Sequence, residues 1–238
     1  MLRRVIASFS PRRQPLMVRQ SYRYELTNAL TYPVAMAMVE AGVIGVLAQK
    51  AFNVGPLLYA TIMAAPMFAN LASFAWAYLA RGKPKVRFIN ALQVLALLSI
   101  AAIALLPTDT PLGGVLLTLL IVFCRCVVAG VITLRSTVWR MNYPRHLRAQ
   151  ITGKLALLQS LIGAVAPVLG YALLDVDPEW FRVIYPVSVV LGALGVLNFS
   201  RIRLRREAEL LAYEQTQAAQ PQPHGETGSI YEYVPGAQ

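Results

Sequence analysis

Six long apolar stretches, at positions 29–48, 54–80, 86–106, 113–133, 155–174 and 180–197, dominate the chain, and short polar connections separate most of them. A hydrocarbon core of about 30 Å is crossed by about 20 helical residues rising ~1.5 Å each, so each stretch is long enough, or nearly so, to span a bilayer. Inside lipid the backbone has no water to bond, which makes continuous apolar runs of this length helices. The pattern therefore predicts an all-α, polytopic membrane protein with six transmembrane helices in a bundle.

Charge sharpens this picture. The 238 residues carry a net charge of +11, yet only 14% of them are charged, too few for the surface of a water-soluble protein of this size. The basic residues are not scattered. Arg3, Arg4, Arg12, Arg13, Arg19 and Arg23 precede the first stretch, Arg81, Lys83, Lys85 and Arg87 follow the second, Arg135, Arg140, Arg145, Arg148 and Lys154 follow the fourth, and Arg201, Arg203, Arg205 and Arg206 follow the sixth. The alternate connections hold only Lys50 and Arg182, alongside Asp109, Asp175, Asp177 and Glu179. By the positive-inside rule both termini are expected in the cytoplasm and the protein in the plasma (inner) membrane. Basic groups at alternate helix ends face lipid headgroups, so no nucleic-acid partner is expected.

The expected organisation is a basic cytoplasmic segment (1–28), a transmembrane domain (29–200) and a hydrophilic cytoplasmic tail (201–238). Within the tail, 207–217 has the composition to continue a helix, whereas 218–238, rich in Gln, Pro and Gly, reads as disordered; Tyr231 and Tyr233 lie in that stretch. The 134–154 connection is long and amphipathic enough to lie along the membrane interface. Cys124 and Cys126 sit two apart in a helix and point away from each other, which argues against a disulfide between them.

Two charged residues fall inside apolar stretches: Glu40 in the first and Arg125 in the fourth. Placing an isolated charge at mid-bilayer costs about 2.5–3.5 kcal/mol on insertion scales, so each is expected to face the protein interior or a water cavity and find a partner. Counted inward from the acidic ends, Glu40 lies about 12 Å deep and Arg125 about 18 Å, a difference the arginine stem can span. A substrate or proton-coupling pair and a fixed structural ion pair are both compatible with that placement. Asn70, Gln159 and Ser160 are weaker cavity candidates, with Asn90 and Gln93 as further interhelical bonding groups. Gly42 and Gly45, beside Ala41, permit close helix approach, and Pro66 and Pro167 are expected to bend their helices. Enzymatic readings find no support: the only histidines, His146 and His224, lie outside the stretches, and no zinc, nucleophile-elbow or phosphate-loop motif is present. No cofactor or metal is expected.

Three groups of residues carry a family resemblance. Arg125 followed by Ala129 and Gly130 resembles the fourth-helix arginine and small-residue motif of the major facilitator superfamily, with Ala129 where glycine is usual. Ala166, Pro167, Gly170 and Tyr171 resemble its fifth-helix Gly-Pro-x-x-Gly-Gly motif, and Asn142, Tyr143, Pro144, Arg148 and Gly153 its approach to that helix. The turn at Arg81, Gly82, Lys83, Pro84 and Lys85 echoes the family signature after helix two but lacks its aspartate. The resemblance, over about 31–201, implies one six-helix half of a transporter family that ordinarily has twelve helices, with helices one and four lining the central cavity. It implies secondary active transport of a small solute, with or without a coupled proton, by alternating access, with Glu40 and Arg125 in the polar core. A half-size or truncated transporter would need a second copy or a second six-helix half as partner. A non-transporting integral membrane scaffold is the alternative.

Overall fold

Prolines mark where most of the helices begin. In the computed structural model, which describes residues 9–219, Pro56 and Pro111 open α3 (Pro56–Leu79) and α5 (Pro111–Asn142), and Pro15, Pro84 and Pro144 immediately precede α1 (Leu16–Ala37), α4 (Lys85–Ile103) and α6 (Arg145–Val176). A first-turn amide has no helical partner to lose, so proline is tolerated there and nowhere deeper without cost. The remaining helices are α2 (Ala41–Lys50), α7 (Phe181–Phe199), which follows a 3-10 turn at Pro178–Trp180, and α8 (Glu207–Ala219). Among the described residues there is no strand, and six segments are long and apolar enough to cross a membrane. This is an integral membrane protein.

The helices pack as two groups joined side by side: α1 lies against α6 and α7, α5 lies against α3 and α4, α4 meets α7, and α2 bridges α6 and α3. The shared core is aliphatic and aromatic, with Ile89, Ile100, Ile103, Leu117, Ile121, Phe181, Tyr185 and Phe199 fully buried. Large apolar side chains are equally abundant outside, among them Leu57, Met67, Phe74, Leu161, Val168, Val187 and Leu197. In water such a surface would drive aggregation; in hydrocarbon it is the solvated face. With no hydrophobic drive between helices in lipid, close contact depends on small residues. At Gly130 a β-carbon would lie 2.7 Å from Trp76 and 2.8 Å from Leu92, so glycine is what allows α5 to reach both neighbours.

Three segments differ from the sequence expectation. The first span starts at Leu16, not at position 29, and is split between Ala37 and Ala41 rather than continuous. The 134–154 connection is not an interfacial loop: α5 runs on to Asn142 and α6 begins at Arg145, each 32 residues long, with a two-residue turn between them. The helix expected within 207–217 is present as α8 and folds back onto the α3–α4 turn, while 220–238, including His224, Tyr231 and Tyr233, lies outside the described residues.

Candidate functional site

The centre of interest is the break in the first span. The last turn of α1 tightens, with the amides of Met38, Val39 and Glu40 each donating to the carbonyl three residues back (3.2 Å in all three cases). Glu40 then turns extended (φ −74°, ψ 152°), and the Ile44 amide bonds its carbonyl at 3.1 Å to start α2. The carbonyls of Met38 and Val39 are left without a helical partner in an apolar region, where an unmatched carbonyl is costly. Side chains from two other spans take them. Tyr185 Oη of α7 donates to Met38 O at 2.8 Å, and Arg125 Nη2 of α5 donates to Val39 O at 2.6 Å. The second arm of the same guanidinium, Nη1, donates to Glu40 Oε1 at 2.9 Å.

Glu40 and Arg125 therefore meet, at a helix discontinuity. Their exposures differ: the Arg125 side chain is 14% accessible and Glu40 is 49% accessible. The arginine is anchored by a backbone carbonyl, whereas the carboxylate is open on one side. An incoming anion would compete with Glu40 for Nη1. Chemically the arrangement is a reachable acid at the break between α1 and α2 beside a fixed cation from the middle of α5.

The other candidates distribute around this point. Gly45 sits against α3, where a β-carbon would lie 3.2 Å from Tyr59 Oη, and Gly170 sits against the break itself, 3.3 Å from Met38 Sδ by the same measure. Gly42 does not serve packing among the described residues, none of which lies within 4 Å of its β-carbon position. Asn70 is exposed on the face of α3 that also carries Tyr59 and Met63; Ser160 is exposed and Gln159 half-buried on α6. None of these three polar residues hydrogen-bonds to Glu40 or Arg125 among the described residues. Pro66 and Pro167 lie within helices that run on through them, so the interruption falls in the first span instead. In the α3–α4 turn, Arg81 and Lys83 are exposed over the rings of Tyr78 and Phe88, but Lys85 is buried. Its Nζ donates to Ala80 O and to Glu214 Oε2 of α8, both at 2.6 Å, and the same carboxylate oxygen accepts from Gly82 N at 2.7 Å. Gly82 has φ +65°, a left-handed value that glycine reaches without strain.

A second polar cluster was not anticipated. Side chains bridge α1 and α5 along a seam that starts at Glu40 and Arg125, and toward its arginine-rich end Glu25 and Asn28 are fully buried and Arg135 is 7% exposed. Trp139 Nε1 donates to Glu25 Oε2, and Arg135 donates to Asn28 Oδ1 rather than to Glu25. The Arg135 guanidinium also rests 5.4 Å from the Phe199 ring centre and 5.8 Å from that of Trp139. Among the described residues Asn28 Nδ2, Arg135 Nε and Tyr22 Oη have no partner, so the cluster is only partly satisfied. Burial, with the Glu25 carboxylate beside it, raises the pKa of the Tyr143 phenol in the α5–α6 turn. The signal was present in spacing: Tyr22, Glu25, Asn28 and Tyr32 recur at three- and four-residue intervals, as do Arg135, Trp139 and Asn142. Reading Glu25 and Arg135 as members of arginine-rich flanks concealed it.

No protein-family model, curated protein or solved structure gives a significant match to this chain.

Proposed function

We propose that this chain is a half-size secondary transporter that moves a small solute by alternating access along the α1–α5 seam. The observation that carries the reading is the half-exposed Glu40 at a helix break inside an apolar span, held by an arginine whose other arm replaces a lost helical bond. Interrupted membrane helices are found where a site needs backbone and charge at mid-depth, since irregular backbone is otherwise excluded from hydrocarbon. The sequence resemblance supports the same assignment, placing the first and fourth spans at the cavity. The seam then has an open polar end at Glu40 and Arg125 and a closed one at Glu25, Asn28, Arg135 and Trp139.

A half transporter is complete only when its open face is covered. The Glu40 side is flanked by α3 and α6, whose outer residues include Met67, Asn70, Phe74, Leu157, Ser160 and Leu161. A second copy, or a second six-helix half, is the partner this face fits. Reconstitution in vesicles with an imposed proton or solute gradient tests the reading. Solute uptake is expected for the intact chain and is expected to vanish for Glu40→Gln and Arg125→Ala, with both variants still inserted and folded. Unchanged uptake in those variants removes the pair from the mechanism, and absence of flux under every gradient, with a stable partner retained in mild detergent, favours a scaffold.

A further inference from the structure

On the other side of α1, two hollows bordered by α1 and α7 lie along a shallow groove between these helices, one at the arginine-rich end and one farther along. At that end Gln20, Tyr24, Ser200, Arg201 and Arg203 surround an open cleft of about 520 Å³, with two guanidinium groups and no carboxylate among them. Farther along, α1, α6 and α7 line an open apolar cavity of about 230 Å³ whose walls include Val34, Met38, Leu173, Val187 and Leu191. One face of α1 runs from the first to the second, because Gln20, Tyr24, Thr27, Thr31, Val34 and Met38 follow each other at alternating four- and three-residue steps, and midway along it Thr31 packs against Gly195 of α7. Tyr24 and Val34 are separated by about 15 Å of helix. On α7 the matching line runs through Leu191, Leu194 and Asn198 to Arg201.

The groove is less polar than its sequence suggests. Thr27 Oγ1 donates to Arg23 O at 3.2 Å, Thr31 Oγ1 to Thr27 O at 3.0 Å and Ser188 Oγ to Tyr185 O at 2.7 Å, so all three hydroxyls are occupied by backbone of their own helix. Thr31 Oγ1 also lies against Gly195 of α7, where a β-carbon would come within 2.5 Å of it, so that hydroxyl is turned into the helix contact. Exposed Leu30, Val190, Leu194 and Leu197 border the groove and belong to the hydrocarbon-facing surface. An occupant must therefore enter from lipid, carry negative charge at one end only, and be apolar over the rest of its length.

We propose that this groove binds one anionic phospholipid from the leaflet on the arginine-rich side, its phosphate at Arg201 and Arg203 and one acyl chain laid along α1 into the Val34–Leu191 cavity. Basic pockets between membrane helices attract anionic headgroups, each nearby Lys or Arg contributing about fivefold to the preference. The site is independent of solute transport and stands or falls separately from it.

The test uses the purified full chain in nanodiscs of phosphatidylcholine with a minority of phosphatidylglycerol, followed by mild extraction and native mass spectrometry of the lipid retained. Phosphatidylglycerol is expected to be retained over phosphatidylcholine. Arg201→Gln with Arg203→Gln is expected to lower that preference about 25-fold, the product of the two contributions. Arg87→Gln with Arg145→Gln removes the same charge from exposed positions elsewhere on that end and is expected to leave the preference intact. Val34→Trp, which fills the cavity, is expected to reduce retention of either lipid. Equal loss from both arginine pairs would mean diffuse attraction and overturn the site. Displacement by inorganic phosphate would make it a free-anion site, and full retention in Val34→Trp would remove the acyl chain from the groove; either result also overturns the proposal.

Discussion

Replacing Arg125 separates the two jobs its guanidinium performs. In Arg125→Ala the Val39 carbonyl loses the one partner it has among the described residues, at a residue that is 1% exposed. An unsatisfied buried acceptor costs about 1–3 kcal/mol in proteins generally. Interhelical hydrogen bonds in membranes measure about 0.6 kcal/mol on average and about 1.7 at most, because the unfolded chain in lipid also finds partners. The lost ion pair adds little, since Glu40 is 49% accessible and exposed pairs contribute about 0–1 kcal/mol. Arg125→Ala is therefore expected to destabilise by about 1–2 kcal/mol. Glu40→Gln, whose amide oxygen still accepts from Nη1, should cost under about 0.5 kcal/mol. Reversible unfolding in mixed micelles, followed by circular dichroism, measures both. The double variant should match Arg125→Ala alone. Should Glu40→Gln destabilise as much as Arg125→Ala, the break is held by the ion pair and the reasoning fails.

Further outcomes follow from neighbouring contacts. Gly130→Ala forces a methyl against Trp76 and Leu92 and is expected to cost about 1–3 kcal/mol, whereas Gly42→Ala, with open space around it, is expected to be neutral or to stabilise α2 by up to about 1 kcal/mol; thermal unfolding of the two in one detergent compares them. Trp139→Phe strips the indole donor from buried Glu25 and is expected to cost about 1–3 kcal/mol, part of which Glu25→Leu in the same chain should restore, as a double-mutant cycle would show. Glu214→Ala removes the acceptor of the Gly82 amide, so hydrogen exchange across the α3–α4 turn should accelerate; unchanged exchange would mean that α8 does not hold that turn.

The sequence by itself determined the number of spans and their helical form, because hydrocarbon leaves the backbone no alternative and 20-residue apolar runs are visible without any contact information. It also determined most helix starts through proline chemistry, and it brought Glu40 and Arg125 to comparable depth by counting residues from the polar ends. What it did not contain was the break in the first span. Met38, Val39 and Glu40 include neither glycine nor proline, and nothing local distinguishes them from a continuing helix. The interruption exists because Tyr185 and Arg125, 147 and 86 residues away, offer better partners to the Met38 and Val39 carbonyls than the helix ladder would. The same holds for Glu25 and Arg135. Each looks like a solvated flank in its own segment, and only the assembled bundle, in which their side chains meet between α1 and α5, buries them and leaves some of their hydrogen-bonding atoms without a partner among the described residues. Local pattern sets what a segment is; which polar atoms lose their water, and who replaces it, is a property of helices brought together.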